Sequence, residues 1–138
     1  KEFSFLNTGS PHHVEMVTNL KDIDVVDKGR AIRNNRYGAA GANINFVSKI
    51  SEDTFCVRTY ERGVEDETLS SGTGVTAVAL AMFDTKQTTS SKVYLKTQGG
   101  DLSVSFVKKE NTYTNIVLSG PATQVYKGIW EVCFWILN

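Results

Sequence analysis

The feature that most constrains the fold is an apolar run at residues 75–83, in which Thr76 is the one polar side chain. A run of this length favours a helix, and a helix without a polar face is usually buried on every side. Such a helix needs other elements around it, so we expect a sheet to wrap around residues 75–83. Ser70 or Ser71 is a suitable N-cap, because a serine hydroxyl accepts a hydrogen bond from an amide one turn into the helix.

The N-terminus of this helix opens at the turn Gly72-Thr73-Gly74, which follows an acidic loop. Amides without intrahelical partners and the positive end of the helix dipole converge there, which makes the turn a suitable site for a carboxylate or a phosphate. The alternative is a capped core helix that binds no ligand, because capped helices are common.

Composition limits the class of protein. The 138 residues fit one domain, and a formal net charge of zero gives no indication of nucleic acid or an anionic membrane as a partner. The longest apolar run is too short to cross a bilayer, and no signal-peptide pattern is visible in the first residues, so we expect neither a membrane span nor a leader. Cys56 and Cys133 match no metal or redox spacing, so we expect reduced thiols in a cytoplasmic protein without a metal.

The remaining patterns predict a second helix and a series of strands. Residues 22–35 carry an apolar stripe of Ile23, Val26, Ala31 and Ile32, which is typical of a solvated surface helix. Alternation predicts strands at residues 3–6, 12–17, 43–47, 54–60, 92–97, 101–107, 113–118 and 123–128. The expected fold is α+β, with a mostly antiparallel, highly curved sheet or open barrel around the central buried helix and one surface helix outside it.

Two strands bring polar residues toward the start of the buried helix. Near the first, the turn at Ser10 is followed by His12 and His13, which form either a point where polar groups converge or an exposed and a structural histidine. The strand at residues 54–60 has Phe55, Val57 and Thr59 on one face and leads into Glu61 and Arg62. Arg62 could hold a carboxylate through two hydrogen bonds, or form an ordinary surface pair with Glu61.

Four blocks resemble the C-terminal domain of the diaminopimelate epimerase family, in the same order along residues 5–130. They are Gly9-Ser10-Pro11-His12, Ala42-Asn43-Ile44-Asn45-Phe46, Tyr60-Glu61-Arg62-Gly63 with Glu67-Thr68 and Gly72-Thr73-Gly74, and Ser119-Gly120-Pro121-Ala122. The resemblance implies that residues 1–130 form one of two pseudo-symmetric domains, each a sheet around a central helix, and that the N-terminal half of the enzyme is absent. Residues 131–138 are then an apolar tail, whether an edge strand, a partner contact or a foreign extension.

The resemblance also implies a reaction, the interconversion of LL- and meso-2,6-diaminopimelate without a cofactor, in lysine and peptidoglycan precursor synthesis. Inverting a stereocentre by proton transfer needs a base on one face and an acid on the other, which the family supplies as two cysteines, one from each domain. Amides at a helix N-terminus stabilise the charge that develops on the substrate carboxylate. The implied substrate-binding residues are Ser10, Asn43, Glu61, Arg62, Gly72 and Thr73, with His12 behind them as a supporting partner.

The sequence departs from the family at Ser71, which stands where the family has its catalytic cysteine. A free thiol has a pKa of ~8.5, whereas a serine alkoxide at neutral pH needs an activating base. We therefore expect the isolated chain not to epimerise, whether Ser71 is an engineered replacement, belongs to a natural inactive copy or indicates an altered activity. The alternatives are a related cofactor-independent racemase or isomerase of the same fold and a non-catalytic carboxylate-binding module. An exposed inter-domain face would also favour a homodimer.

Overall fold

The computed structural model describes residues 3–131 of the 138-residue chain. Within this range the chain forms one eight-stranded sheet, two α-helices and a short 3-10 helix at Leu20–Asp22. The helices are α1 at Val25–Tyr37 and α2 at Gly72–Asp84. The strands are β1 at Ser4–Asn7, β2 at Pro11–Met16, β3 at Asn43–Lys49, β4 at Thr54–Glu61, β5 at Asp66–Thr68, β6 at Lys92–Thr97, β7 at Gly100–Lys109 and β8 at Thr112–Ser119.

The sheet curls around α2. Its strand order is β1-β2-β3-β4-β6-β7-β8, and β5 lies beside β4 off this path. The β2–β3 and β4–β6 pairs are parallel, and the other neighbouring pairs are antiparallel. Because α2 contacts β1, β2, β3, β6 and β7, the sheet forms a half-barrel around it. The predicted α+β fold, with a mostly antiparallel curved sheet around a buried helix, is confirmed.

The core lies between α2 and the inner face of the sheet. From Gly74 to Met82, every residue of α2 except Thr76 is buried, as expected for a helix without a polar face. These residues pack against a shared set of inward strand side chains, Phe55, Val57, Val93, Leu95, Val104 and Phe106. The predicted alternation in β4 is confirmed. Phe55 and Val57 face α2, whereas Tyr60 lies on the opposite face, in a second buried cluster beneath α1.

The helix α1 covers the outer face of β3 and β4, and its predicted start at residue 22 is wrong. Asp22 lies in the 3-10 helix, and Asp24 is the N-cap, whose carboxylate accepts a hydrogen bond of 2.9 Å from the Asp27 amide. The predicted apolar stripe is also incomplete, since Ala31 is exposed whereas Gly29 is buried. At Gly29 a Cβ would lie 2.4 Å from Tyr60 Cβ, so the glycine allows α1 to approach β4 closely.

Two other features of the sheet differ from the prediction. The three-residue strand β5 lies within what looked like an acidic loop, and it pairs with the end of β4. The predicted strand at residues 123–128 is wrong, because residues 120–131 have no regular structure and Val125 and Tyr126 are 83% and 84% exposed. A strand needs a neighbour for its backbone hydrogen bonds, and no strand of residues 3–131 pairs with this segment.

The other predicted strands are confirmed, with ends shifted by a few residues. The apolar tail at residues 132–137 lies outside the described residues. No helix within residues 3–131 has both the length and the apolar character needed to cross a membrane.

Candidate active site at the N-terminus of the buried helix

The site is built around the first turn of α2, where Ser71 is the N-cap. The backbone of Ser71 is extended, with φ −140° and ψ 116°, and its Oγ accepts a hydrogen bond of 3.2 Å from the Gly74 amide. The Ser71 carbonyl accepts the Val75 amide at 2.9 Å. These two bonds leave the amides of Gly72 and Thr73 at the helix end, directed out of the helix like the other first amides of an α-helix.

The β1–β2 hairpin brings its turn against Thr73. The Thr8 hydroxyl donates to the Thr73 carbonyl at 2.7 Å, which ties the turn to the helix. The Thr73 hydroxyl oxygen lies 3.2 Å from Ser10 Oγ and 2.8 Å from His12 Nε2. Ser10 and His12 of the β1–β2 hairpin and Thr73 of α2, which lies far from them in sequence, therefore form one hydrogen-bonded group.

Asn43 joins this group because β3 runs parallel to β2 and pairs Asn43 with His12. Its Nδ2 donates to Ser10 Oγ and to the Pro11 carbonyl, both at 3.1 Å. Its Oδ1 accepts a hydrogen bond of 2.9 Å from the Arg62 amide. Asn43 thus links the β1–β2 turn to the end of β4 and holds both in place beside α2.

Glu61 and Arg62 follow at the end of β4, and within residues 3–131 they do not pair with each other. Glu61 Oε2 accepts a hydrogen bond of 2.9 Å from the Thr68 hydroxyl on β5. Arg62 Nη1 donates to the Ala40 carbonyl at 2.8 Å. The surface-pair alternative is therefore wrong, and the guanidinium is anchored through one nitrogen, close enough for its charge to act on His12.

His12 and His13 are both buried, so the alternative of one exposed histidine is wrong. They point to opposite faces of β2, since His12 contacts Thr73 of α2 whereas His13 Nδ1 bonds the Tyr37 hydroxyl of α1 at 2.7 Å. Burial, together with the positive charge of Arg62, lowers the pKa of His12 from 6.5 to about 4. His12 is therefore neutral near neutral pH, and it serves the cluster as a hydrogen-bonding group without charge.

The sequence analysis gave no site role to Asn45, which contacts His12, or to Thr59, which contacts Asn45. Asn45 Nδ2 lies 3.1 Å from His12 Nδ1, and Asn45 Oδ1 accepts a hydrogen bond of 2.9 Å from Thr59 Oγ1. The available signal was alternation: Asn45 shares a strand face with Asn43, and Thr59 shares one with Phe55 and Val57. A polar side chain on a buried strand face usually has a specific hydrogen-bonding role.

The arrangement can hold an anionic group. The amides of Gly72 and Thr73 and the dipole of α2 favour a negative charge, and the Arg62 side chain adds a fixed positive charge nearby. Each predicted site residue other than Glu61 lies in or beside one connected set of hydrogen bonds, and Glu61 adjoins it through the backbone of Arg62. Within residues 3–131, no three His, Cys, Asp or Glu side chains are grouped closely enough to hold a metal ion.

Known proteins with similar sequences share one description. The family model described as diaminopimelate epimerase matches residues 4–125. A diaminopimelate epimerase of Flavobacterium psychrophilum is 53% identical over 126 residues, which cover 91% of this chain and 49% of the relative. That of Chlorobaculum tepidum is 44% identical over 126 residues, which cover 90% and 48%. The chain therefore spans about half the length of the curated relatives it matches.

Solved structures with a similar fold carry a different description. A protein of the phenazine biosynthesis protein PhzF family from Enterococcus faecalis matches with a TM-score of 0.57 and 23% identity, over 78% of this chain and 37% of that chain. A phenazine biosynthesis PhzC/PhzF protein from Clostridium difficile matches with a TM-score of 0.56 and 20% identity, over 78% and 38%. At these identities the likeness shows a common fold and nothing about the reaction.

Proposed function

Because this chain belongs to the diaminopimelate epimerase family, we propose that it is the C-terminal half of an enzyme that interconverts LL- and meso-2,6-diaminopimelate. The observation that carries the proposal is the convergence of Ser10, His12, Asn43 and Arg62 on the first turn of α2. The reaction belongs to lysine and peptidoglycan precursor synthesis. The proposed location is the cytoplasm, where a free thiol such as that of Cys56 stays reduced.

In this proposal the first turn of α2 binds the carboxylate at the reacting carbon. Removal of the α-proton moves negative charge into that carboxylate, and the amides of Gly72 and Thr73 stabilise the charge as it develops. Arg62 contributes a positive charge toward a substrate carboxylate, and Glu61 accepts from a substrate ammonium. Ser10 and Asn43 complete the binding surface, with His12 supporting them from below. No step requires a cofactor.

Proton transfer itself requires a group on each face of the α-carbon. Ser71 occupies the position from which this half would deliver one of them, and its hydroxyl is a poor proton acceptor without an activating base. The second group would come from the half of the relatives that this chain does not match. We therefore propose that the chain alone does not catalyse the epimerisation.

The partner half would cover the apolar surface of β8. Ile116, Val117 and Leu118 are 42%, 53% and 44% exposed, and Leu118 Cδ2 lies 3.0 Å from where a Cβ on Gly72 would sit. Apolar surface this close to the site supports docking of a second domain there. Without that domain we expect self-association into a homodimer, which sedimentation of the isolated chain would test.

The test joins this chain to the unmatched half of the Flavobacterium psychrophilum relative. Deuterium entry at the α-carbon of LL-diaminopimelate in heavy water and formation of the meso form are followed for Ser71 and for Ser71→Cys. Ser70→Cys is the matched control, since it places the same thiol one residue earlier, at an exposed position. We expect turnover with Ser71→Cys and little with either other form.

Other outcomes would contradict parts of the proposal. Comparable turnover with Ser71 would mean that an unidentified base activates the hydroxyl. No reaction with any form would favour a related racemase of another amino acid. Ser71 itself favours one further alternative, a non-catalytic module that binds a carboxylate at α2. Calorimetric titration of the isolated chain with diaminopimelate and with a simpler amino acid distinguishes that module from an enzyme half. The comparison is between the affinities of the chain for the two ligands.

A further inference from the structure

Two polar side chains of the core, Asn45 and Thr59, have no part in the proposed contacts with substrate. Asn45 is fully buried and Thr59 is 4% exposed, and the two residues lie opposite each other in the β3–β4 pair. Apart from His12 and Asn43, their neighbours on the inner face of the sheet are apolar, among them Val57 and Val14. Burying an amide in such surroundings is costly unless its hydrogen bonds are made. The partners of the Asn45 amide therefore determine which end of it is the oxygen and which is the NH2 group.

The orientation of the Asn45 amide follows from its partners. One end of the amide lies 2.9 Å from the His13 carbonyl oxygen, which can only accept a hydrogen bond, so this end is the NH2 group. The other end is the oxygen, and it accepts from the Thr59 hydroxyl at 2.9 Å. The second hydrogen of the NH2 group faces His12 Nδ1 at 3.1 Å. Nδ1 of His12 therefore accepts a hydrogen bond and carries no proton.

A neutral imidazole carries one proton, so the proton of His12 is on Nε2. Nε2 lies 2.8 Å from Thr73 Oγ1 and 2.9 Å from Ser10 Oγ, and it donates to these hydroxyl oxygens. Ser10 Oγ also accepts from Asn43 Nδ2 at 3.1 Å. Because Ser10 Oγ accepts from both His12 and Asn43, its own hydroxyl donates to Thr73 Oγ1 at 3.2 Å. The Thr73 oxygen accepts from His12 and Ser10, which leaves the hydrogen of the Thr73 hydroxyl to be donated elsewhere.

We propose that Asn45, held by Thr59, is a positioning residue that locks His12 in the tautomer protonated on Nε2 and so directs the Thr73 hydroxyl to donate toward the ligand side of the site. The catalytic value of this arrangement rests on the proposed function, in which the Thr73 hydroxyl would donate to a substrate carboxylate. The tautomer itself follows from contacts inside the chain alone.

The first turn of α2 packs directly on the Asn45 side chain, so the orientation of Asn45 and the position of the helix N-terminus depend on each other. A Cβ on Gly74 would lie 2.8 Å from Asn45 Oδ1 and 3.0 Å from Ser71 Oγ. The helix N-terminus therefore sits against the amide that orients His12, with no room for a side chain between them.

The test is the tautomer of His12, read from the 15N shifts of Nδ1 and Nε2 in the chain labelled at histidine. We expect the proton on Nε2 in the unmodified chain. In Asn45→Asp, the carboxylate cannot donate to Nδ1 and instead accepts from it, so the proton moves to Nδ1 or the ring becomes an imidazolium. A carboxylate in contact raises the pKa of a histidine, so the pKa of His12 should rise from its present value of about 4. Asn111→Asp is the matched control, an identical change in the exposed β7–β8 turn, and should leave His12 unchanged.

An Nδ1-protonated His12 in the unmodified chain would overturn the inference, and this holds even if Asn45→Asp does not fold. A folded Asn45→Asp chain whose new carboxyl group is shown by its 13C shift to be ionised, and that keeps the proton on Nε2, would overturn it as well. The proposed function is judged separately, in the joined protein with Ser71→Cys. If that protein turns over, Asn45→Asp should move the acid limb of its pH profile upward and Asn111→Asp should not. If it does not turn over while the tautomer is as expected, the substrate assignment fails and the role of Asn45 remains.

Discussion

Acidification should destabilise this fold through His12, and the size of the effect follows from its burial. The ring is fully buried, and its pKa is lowered from 6.5 to about 4 by desolvation and by the charge of Arg62. The unfolded chain therefore binds a proton at His12 at a higher pH than the folded chain does. The stability that the neutral ring allows is complete above pH 6.5 and is lost as the pH falls toward about 4.

Proton linkage gives the magnitude. A pKa lowered from 6.5 to about 4 corresponds to a loss of about 2 kcal/mol between pH ~7 and pH ~5, and of about 3 kcal/mol in full. The window from pH ~7 to pH ~5 is the useful one, because carboxyl groups with lowered pKa values, such as Glu65, titrate below it. His13 contributes with the same sign, since burial lowers its pKa as well.

The measurement is the free energy of unfolding in urea at the two pH values, for the chain and for His12→Gln. Glutamine keeps a hydrogen-bonding group at this position but does not titrate. Because His13 and the carboxyl groups are common to both proteins, the difference between their pH dependences isolates His12. We expect the chain to lose about 2 kcal/mol more than the variant. Equal losses in the two proteins would show that His12 titrates normally and would refute the reasoning.

Three further predictions concern packing and the hydrogen bonds of the site. Gly29→Ala should destabilise the chain to urea by about 1–3 kcal/mol, although alanine is the better helix former, because its Cβ would overlap Tyr60; a stabilised variant would contradict the close approach of α1. Asp24→Ala should lower the free energy of unfolding by about 1 kcal/mol through loss of the N-cap bond, and an unchanged value would contradict the assigned helix start. Thr73→Val should lower the free energy of unfolding by about 1 kcal/mol. Combined with Ser10→Ala, the loss should exceed the sum of the two single losses, because the double variant leaves the buried N–H of the His12 imidazole without an acceptor. Strict additivity in a double-mutant cycle would contradict the shared hydrogen bond.

The fold was predictable where one physical signal dominated. The burial of α2 followed from its lack of a polar face, and the alternation in β4 predicted which side chains meet that helix. The strand β5 was missed because Asp66, Glu67 and Thr68 have no apolar alternation, and its pairing with β4 depends on backbone geometry. The opposite error occurred at residues 123–128, where the alternation is present but no neighbouring strand is available within residues 3–131.

The site was predictable only in part, because the partners of its buried residues also depend on strand pairing. The resemblance implied residues such as Ser10, Asn43 and Thr73, and the structure brings these together. Asn45 and Thr59 required knowledge of the strand register, because their role depends on which residue faces which across β2, β3 and β4. The sequence reveals that a buried strand face carries a polar residue, but the partner of that residue is set by the tertiary pairing.

The buried part of the polar cluster is complete before any ligand arrives. In the part of the chain that the structure describes, no buried side-chain nitrogen or oxygen lacks a hydrogen-bond partner. The contacts from Thr59 through Asn45 to His12 are therefore satisfied internally, and a ligand need not rearrange them. Because a preorganised donor costs no reorganisation when charge develops, the groups left for a ligand are those at the outer end of the cluster: the amides of Gly72 and Thr73 and the hydroxyl of Thr73. Substitutions beneath the site should accordingly alter the direction and strength of these donors more than they alter the space available to a ligand.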